Sequence, residues 1–296
     1  MSEIRLAFIG FGEAARAFTS SLAAVAPIRV SAYDILFHAP AGDSRKRALE
    51  EAATRLGVTL TGSAAQAVAG ADLVFSAVTA ANAAAALAPA YDAPVHPHTL
   101  IDINSVTAGV KAANAARVRA AGARYLDMAV MAPVHPAGHR TPVLLAGDLE
   151  PALGMLQRLE FRLEVAGAAV GDAASVKMMR SLFVKGLEAL TVQTLSAAQA
   201  AGCGERVLAS LSGSYPGLDL PRFAPYQFER VATHGIRRAE EMREVAAAMR
   251  ELGFPEGTAL AAAVAELQAA VAATGPATGA EALDCARATS DALRGR

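Results

Sequence analysis

The 296-residue sequence predicts an α/β fold: a doubly wound, mostly parallel sheet, followed by an all-helical region joined to it by one long helix. Three observations carry that prediction. Over roughly the first 165 residues, short apolar runs alternate with Ala-rich stretches of helical period, as parallel strands and their crossover helices do. After Gly171 the strand-like runs stop, and segments rich in Ala, Leu, Met and Glu continue to the end. Between the first apolar run and the first helical stretch stand two glycines, Gly10 and Gly12.

Taken in order, strands are expected at Ile4 to Ile9, Arg29 to Tyr33, Leu73 to Val78, Thr99 to Ile103, Arg124 to Met128 and Val143 to Ala146, with a last one at Leu163 to Val165. Glu13 suits the first turn of the first helix, and Ala14 to Ala24 propagate it. The long helix is expected to start near Asp172, read as its N-cap, and to stop at Gly202 and Gly204. About 30 residues at 1.5 Å each span roughly 45 Å. The segment SGSYPGLDLPRFAPY, Ser212 to Tyr226, has too many Gly and Pro for a long helix and reads as a loop carrying Tyr215 and Tyr226. Helices are expected to resume near Arg230 and to break at LGFPEGT. Residues 1–170 then form the sheet domain and residues 171–296 the helical one.

Composition narrows the function classes. Lys plus Arg number 27 against 28 Asp plus Glu, and a formal charge of −1 offers no global field for nucleic acid or an anionic membrane. Charges, Gly or Pro interrupt the apolar stretches, so no span of about 18 to 20 residues is expected to cross a bilayer. The first strand begins almost at once, without a basic leader, and a cytoplasmic location is the expectation. Cys203 and Cys285 match no metal or redox spacing. His96, His98, His135 and His139 lie among Pro and Gly without paired carboxylates, and no metal site is expected.

The glycines acquire meaning from their setting. Gly10-Phe11-Gly12-Glu13-Ala14-Ala15 is G-x-G-x-x-A between an expected strand and an expected helix, which is where a dinucleotide is held. Gly10 allows the tight turn, Gly12 lets a pyrophosphate approach the backbone, and Ala15 lets helix and strand pack closely. The helix N-terminus supplies amide donors and a partial positive charge to the phosphates, and Phe11, Glu13 and Ala14 are expected cofactor contacts beside the two glycines. Asp34 lies 22 positions beyond Gly12, where a carboxylate accepts from the adenosine ribose and repels a 2′-phosphate. The expected cofactor is NAD. Arg45, Lys46 and Arg47 follow closely enough to leave NADP open.

With these residues in view, the sequence resembles the beta-hydroxyacid dehydrogenase superfamily, which includes 3-hydroxyisobutyrate and 6-phosphogluconate dehydrogenases. The C-terminal half looks like the branch with a phosphogluconate dehydrogenase C-terminal-like domain. The resemblance spans essentially the whole chain. Its most informative segment is GDAASVKMMRS, similar to the family's G-x-G-x-x-x-K-x-x-x-N, with Ala173 at the second glycine and Ser181 where the family has Asn. The resemblance implies that Lys177 is the general acid/base and that Ser181 bonds the substrate one turn along. An ammonium against a reacting oxygen stabilises developing charge and delivers a proton. Periodicity alone gives a competing reading, because Lys177, Ser181, Lys185 and Glu188 form one polar stripe that could face water, with Met179, Phe183, Gly186 and Leu190 on another face.

Elsewhere the chain departs from better-known members. Met131, Ala132 and Pro133 stand where Ser-Gly-Gly would bind a carboxylate, and a proline removes an amide donor, so a bulkier or less acidic substrate is expected. His234 occupies the place of the lysine that approaches the nicotinamide, and Arg237 or Arg238 are candidates for an anionic group. By the same resemblance Val78 and Thr79, and Asn104 and Ser105, end two strands over the cofactor, where an open parallel sheet holds its ligand. The implied protein is a homodimeric oxidoreductase that passes a hydride between nicotinamide and a hydroxy acid or related alcohol/carbonyl pair. The alternatives are imine reduction, oxidation with decarboxylation and a non-catalytic dinucleotide sensor.

Overall fold

The computed structural model describes residues 3–93, 95, 98–276 and 278–295. The chain divides into two compact units, Met1–Lys177 and Met178–Arg296.

The first unit runs β1 (Ile4–Ile9), α1 (Glu13–Leu22), β2 (Ile28–Tyr33), α2 (Ser44–Arg55), β3 (Val58–Leu60), α3 (Ala64–Val68), β4 (Leu73–Ser76), α4 (Ala83–Tyr91), β5 (Thr99–Asp102), α5 (Ala108–Ala120), β6 (Arg124–Val130), β7 (Val143–Gly147), α6 (Ala152–Arg158) and β8 (Leu163–Gly167). Among the described residues the strands make one sheet of order β3-β2-β1-β4-β5-β6-β7-β8. Pairing is parallel from β3 to β6, antiparallel between β6 and β7, and parallel again to β8. Because both faces are covered, alternate residues of β1 enter two separate cores: Leu6 and Phe8 one, Ala7 and Ile9 the other. Phe8 stacks on Phe75 at 5.2 Å between ring centroids, and Phe18 and Phe161 close round the same ring at 6.1 Å each. The strand order reverses between β1 and β4, the switch point where open sheets of this kind bind ligands.

The second unit holds the greater part of α7 (Asp172–Ala200), which the division crosses between Lys177 and Met178, then α8 (Gly204–Ser214), α9 (Leu220–Glu251), α10 (Pro255–Thr274) and α11 (Ala282–Arg294). α9 and α10 lie antiparallel and unusually close. A side chain at Gly235 would sit 2.8 Å from Ala272 Cβ and closer still to the Gln268 carbonyl oxygen. Gly235→Ala is therefore expected to lower stability by about 1 to 3 kcal/mol, read as a fall in Tm, without altering nucleotide binding by the first unit.

Four expectations need correction. β3 is not predicted because three residues following a helix and Gly57 carry no period, although β3 completes the β2 edge through Val30 and Val58. The expected loop at Ser212 to Tyr226 shrinks to the turn at 215–219, since α8 reaches Ser214 and α9 begins at Leu220. Pro221 sits in the first turn of α9, where the missing N–H costs nothing, and Asp219 accepts from Arg222 N at the cap. Asp172 is not the cap of α7, a role that falls to Asp127 of β6. α10 is long and apolar enough to cross a membrane by length and composition, with mean hydropathy 1.3 and 28% of that window buried. Its buried face, Ala261, Val264, Ala265, Gln268 and Val271, is occupied within the helical unit.

The stripes of α7 are also reversed relative to the solvated reading. Ser181, Lys185 and Glu188 are 8%, 7% and 2% exposed, whereas Phe183 and Leu190 are 72% and 65% exposed. Lys185 pairs with Glu241 at 3.0 Å, and Glu188 takes both Arg238 and Gln268 Nε2. Burial without loss of partners is what allows charges inside.

Candidate functional site

The turn after β1 is built by backbone constraint. Gly10 has φ +88°, and a side chain there would lie 2.7 Å from Val78 Cγ1 and closer to the Ala77 carbonyl oxygen, so only glycine fits. Its N–H donates to Tyr33 O at 2.8 Å. Gly12 is different: its φ of −80° is open to any residue, and a Cβ built on it meets nothing within 4 Å. The backbone there borders open space. Gly12 opens α1 without a side-chain cap, Glu13 is exposed and Ala14 half-buried, while Phe11 and Ala15 are in the core. These features fit a dinucleotide, whose pyrophosphate needs uncapped amides and room beside the backbone.

Asp34 ends β2 beside this turn. One carboxylate oxygen accepts from Phe11 N at 2.8 Å, the other from Leu36 N at 3.0 Å. Arg16, which the motif does not single out, places its Nε 2.8 Å from the Phe11 carbonyl and its guanidinium 5.8 Å above the Phe11 ring. Its position one turn into α1 is the only signal of it in the sequence.

At the ends of β4 and β5 the polar groups interlock. Asn104 Oδ1 accepts from Val78 N at 2.7 Å, and Asn104 Nδ2 donates to Ser76 Oγ at 2.8 Å. Thr79 is exposed and accepts from Asn82 at 2.8 Å. Ser105 meets Lys177: Nζ donates to the serine Oγ at 2.6 Å, across 72 positions of sequence. Val78, Asn104, Ser105 and Lys177 are thus gathered at the carboxyl ends of the central strands. The start of α7 is capped by Asp127 of β6, which is fully buried and accepts from Gly171 N at 3.2 Å and Ala174 N at 3.0 Å. Asp172 bonds Ala169 N instead. A charged residue inside the apolar run YLDMAV is the available sign of Asp127.

Other expected residues are placed as follows. Met131 N donates to Pro142 O at 2.9 Å, Ala132 and Pro133 are exposed, and the loop is tied to α1 by His139, whose Nδ1 lies 2.7 Å from Ser21 Oγ. In the helical unit, Ser181 is buried one turn beyond Lys177. His234 is half-buried, and burial together with Arg230 and Arg237 holds its pKa below the ordinary imidazole value. Arg237 pairs with Glu241 at the surface, and Arg238 with Glu188 in the interior. Of the loop histidines, His98 bonds Tyr91 OH at 2.7 Å, His135 is exposed, and His96 lies outside the described residues.

Sheet order, glycine turn and strand-end polar cluster define a nicotinamide-dinucleotide oxidoreductase fold. Comparison with known proteins agrees. Residues 5–106 match the family described as NADP oxidoreductase coenzyme F420-dependent, and residues 198–271 match a domain of unknown function, DUF1932. A conserved hypothetical protein from Sinorhizobium meliloti is 35% identical, with 98% of this chain and 97% of that one covered and a TM-score of 0.79. A 3-hydroxyisobutyrate dehydrogenase from Mycobacterium tuberculosis, solved with L-serine, shares the fold at 18% identity over 97% and 98% of the two chains, TM-score 0.71. An uncharacterized 28.5 kDa protein of Methanothermus fervidus is 26% identical over 82% of this chain and 89% of its own. The chain belongs to the beta-hydroxyacid dehydrogenase-like superfamily.

Proposed function

We propose that the protein is an NAD-dependent dehydrogenase or reductase of alcohol/carbonyl pairs in which Lys177 is the general acid/base. The observation that carries this reading is the Lys177 Nζ to Ser105 Oγ bond at 2.6 Å, made in the same unit and at the same strand ends as the Gly10 to Gly12 turn. The nicotinamide, when bound, supplies or accepts the hydride. In oxidation the substrate hydroxyl proton passes to the Lys177 amine as the hydride leaves carbon; in reduction the Lys177 ammonium returns a proton to the oxygen. Ser105 holds Nζ so that a proton on it is aimed rather than mobile, and Ser181 is the expected substrate partner.

The 131–133 loop argues for the substrate class. Met131 N is already donated and Pro133 has no N–H, which leaves Ala132 as the one amide of the three for an anion. The reading favours an uncharged or bulky group there over a short carboxylate. His234, proposed as a cofactor contact by the resemblance alone, is held toward its neutral form by burial and by Arg230 and Arg237. The outward Phe183 and Leu190 of α7 support a homodimer, since a solvent-facing apolar stripe on a core helix is costly unless covered.

Titration of NADH and NADPH, followed by nicotinamide fluorescence, tests the cofactor. NADH is expected to bind about tenfold more tightly, and Asp34→Ala to erase the preference. Equal affinity in the wild type would overturn the choice of NAD, and binding of neither would overturn the whole reading.

A further inference from the structure

We infer that Lys111 is a positioning residue for Lys177, an inference that rests on the acid/base role given to that lysine. Lys111 lies on α5, is 1% exposed, and its ammonium touches both fully buried carboxylates of the sheet: Asp102 Oδ1 at 3.0 Å and Asp127 Oδ1 at 3.1 Å. It also donates to the Asp102 carbonyl at 2.6 Å.

The two carboxylates lead in different directions. Asp102 ends β5, receives Asn104 N at 2.8 Å and the Tyr125 hydroxyl at 2.5 Å, and so fixes the backbone that delivers Ser105 three residues later. Burial raises the Tyr125 pKa far above its ordinary value, so its hydroxyl keeps the proton and acts as donor. Asp127 ends at the amides of Gly171 and Ala174 and so fixes the first turn of α7, which delivers Lys177 three residues later. One ammonium therefore sets the spacing between the strand end bearing Ser105 and the helix start bearing Lys177. Two buried carboxylates sharing a single ammonium form a poor stabilising device, because desolvating three charges costs about as much as their attraction returns. As a spacer they are effective: neither carboxylate can shift without leaving a charge unpaired.

The test reads the Lys177 amine directly in the full-chain protein, with and without NADH. A pulse of acetic anhydride is followed by peptide mass spectrometry, and acetylation of Lys177 is expressed relative to Lys46 and Lys185. Lys111→Met combined with Asp127→Asn removes one positive and one negative charge, leaving the net charge of the cluster unchanged. In that variant relative labelling of Lys177 is expected to rise about tenfold, the scale of losing a hydrogen bond to a charged group, while NADH affinity holds. Tyr125→Phe keeps the volume, removes one bond to Asp102, and is expected to give a smaller rise, about twofold to threefold. Unchanged relative labelling in the folded variants overturns the inference, and if the double variant does not fold, Tyr125→Phe decides alone. Failure of the acid/base role is read separately, by undiminished turnover in Lys177→Ala.

Discussion

Gly12→Val is expected to fold normally and to lose dinucleotide binding, whereas Gly10→Ala is expected to lose both. The contrast follows from geometry. Gly12 has an extended conformation that valine tolerates, and no protein atom lies where its side chain would go, so its Tm should stay within the effect of about 1 kcal/mol at a helix cap. The space filled by the valine is the space that a pyrophosphate requires, and NADH affinity should fall by at least about a hundredfold, or roughly 2.8 kcal/mol. Gly10, by contrast, combines a positive φ with contact against Ala77 and Val78. Strain of about 1 to 2 kcal/mol from the backbone adds to overpacking of about 1 to 3 kcal/mol. Calorimetry beside fluorescence titration separates the two variants. A Gly12→Val protein that binds NADH as the wild type does would remove the nucleotide from this turn.

Lys177→Ala is expected to lower kcat by about a hundredfold to ten-thousandfold with little change in NADH affinity. The size follows from removing a positioned proton carrier. The selectivity follows from location, since the 2.6 Å bond to Ser105 holds Lys177 at the end of β5, whereas Asp34 bonds the glycine turn at Phe11 N. A screen of neutral alcohols, hydroxy acids, ketones and aldehydes with NAD(H), each run against Lys177→Ala, provides the measurement. Turnover that survives the substitution would leave only the binding half of the proposal.

Residues that act through their neighbours along the chain are legible in the sequence. Gly10, Gly12 and Ala15 stand at fixed offsets between a strand and a helix, and β1, β2, β5 and β7 fall within a residue of their expected ends at every terminus. Residues that act across long separations are not. The cap of α7 comes from Asp127, some 45 positions away, whereas local spacing points to Asp172, which bonds Ala169 instead. On α7, period alone separates two faces without saying which is inside. The answer depends on Glu241 and Arg238 of α9, whose charges pair with Lys185 and Glu188 and reverse the usual rule of burial.

The central place of β1 has a consequence for synthesis of the chain. β1 is made first, yet it pairs on one side with β2 and on the other with β4, which begins at Leu73. A ribosome adding 5 to 20 residues per second leaves roughly 3 to 13 s between Ile9 and Leu73. Throughout that interval the apolar edge of the nascent β1, with Phe8 lacking the Phe75 ring it stacks on, is a ready target for holdase chaperones and for misplaced strand pairing.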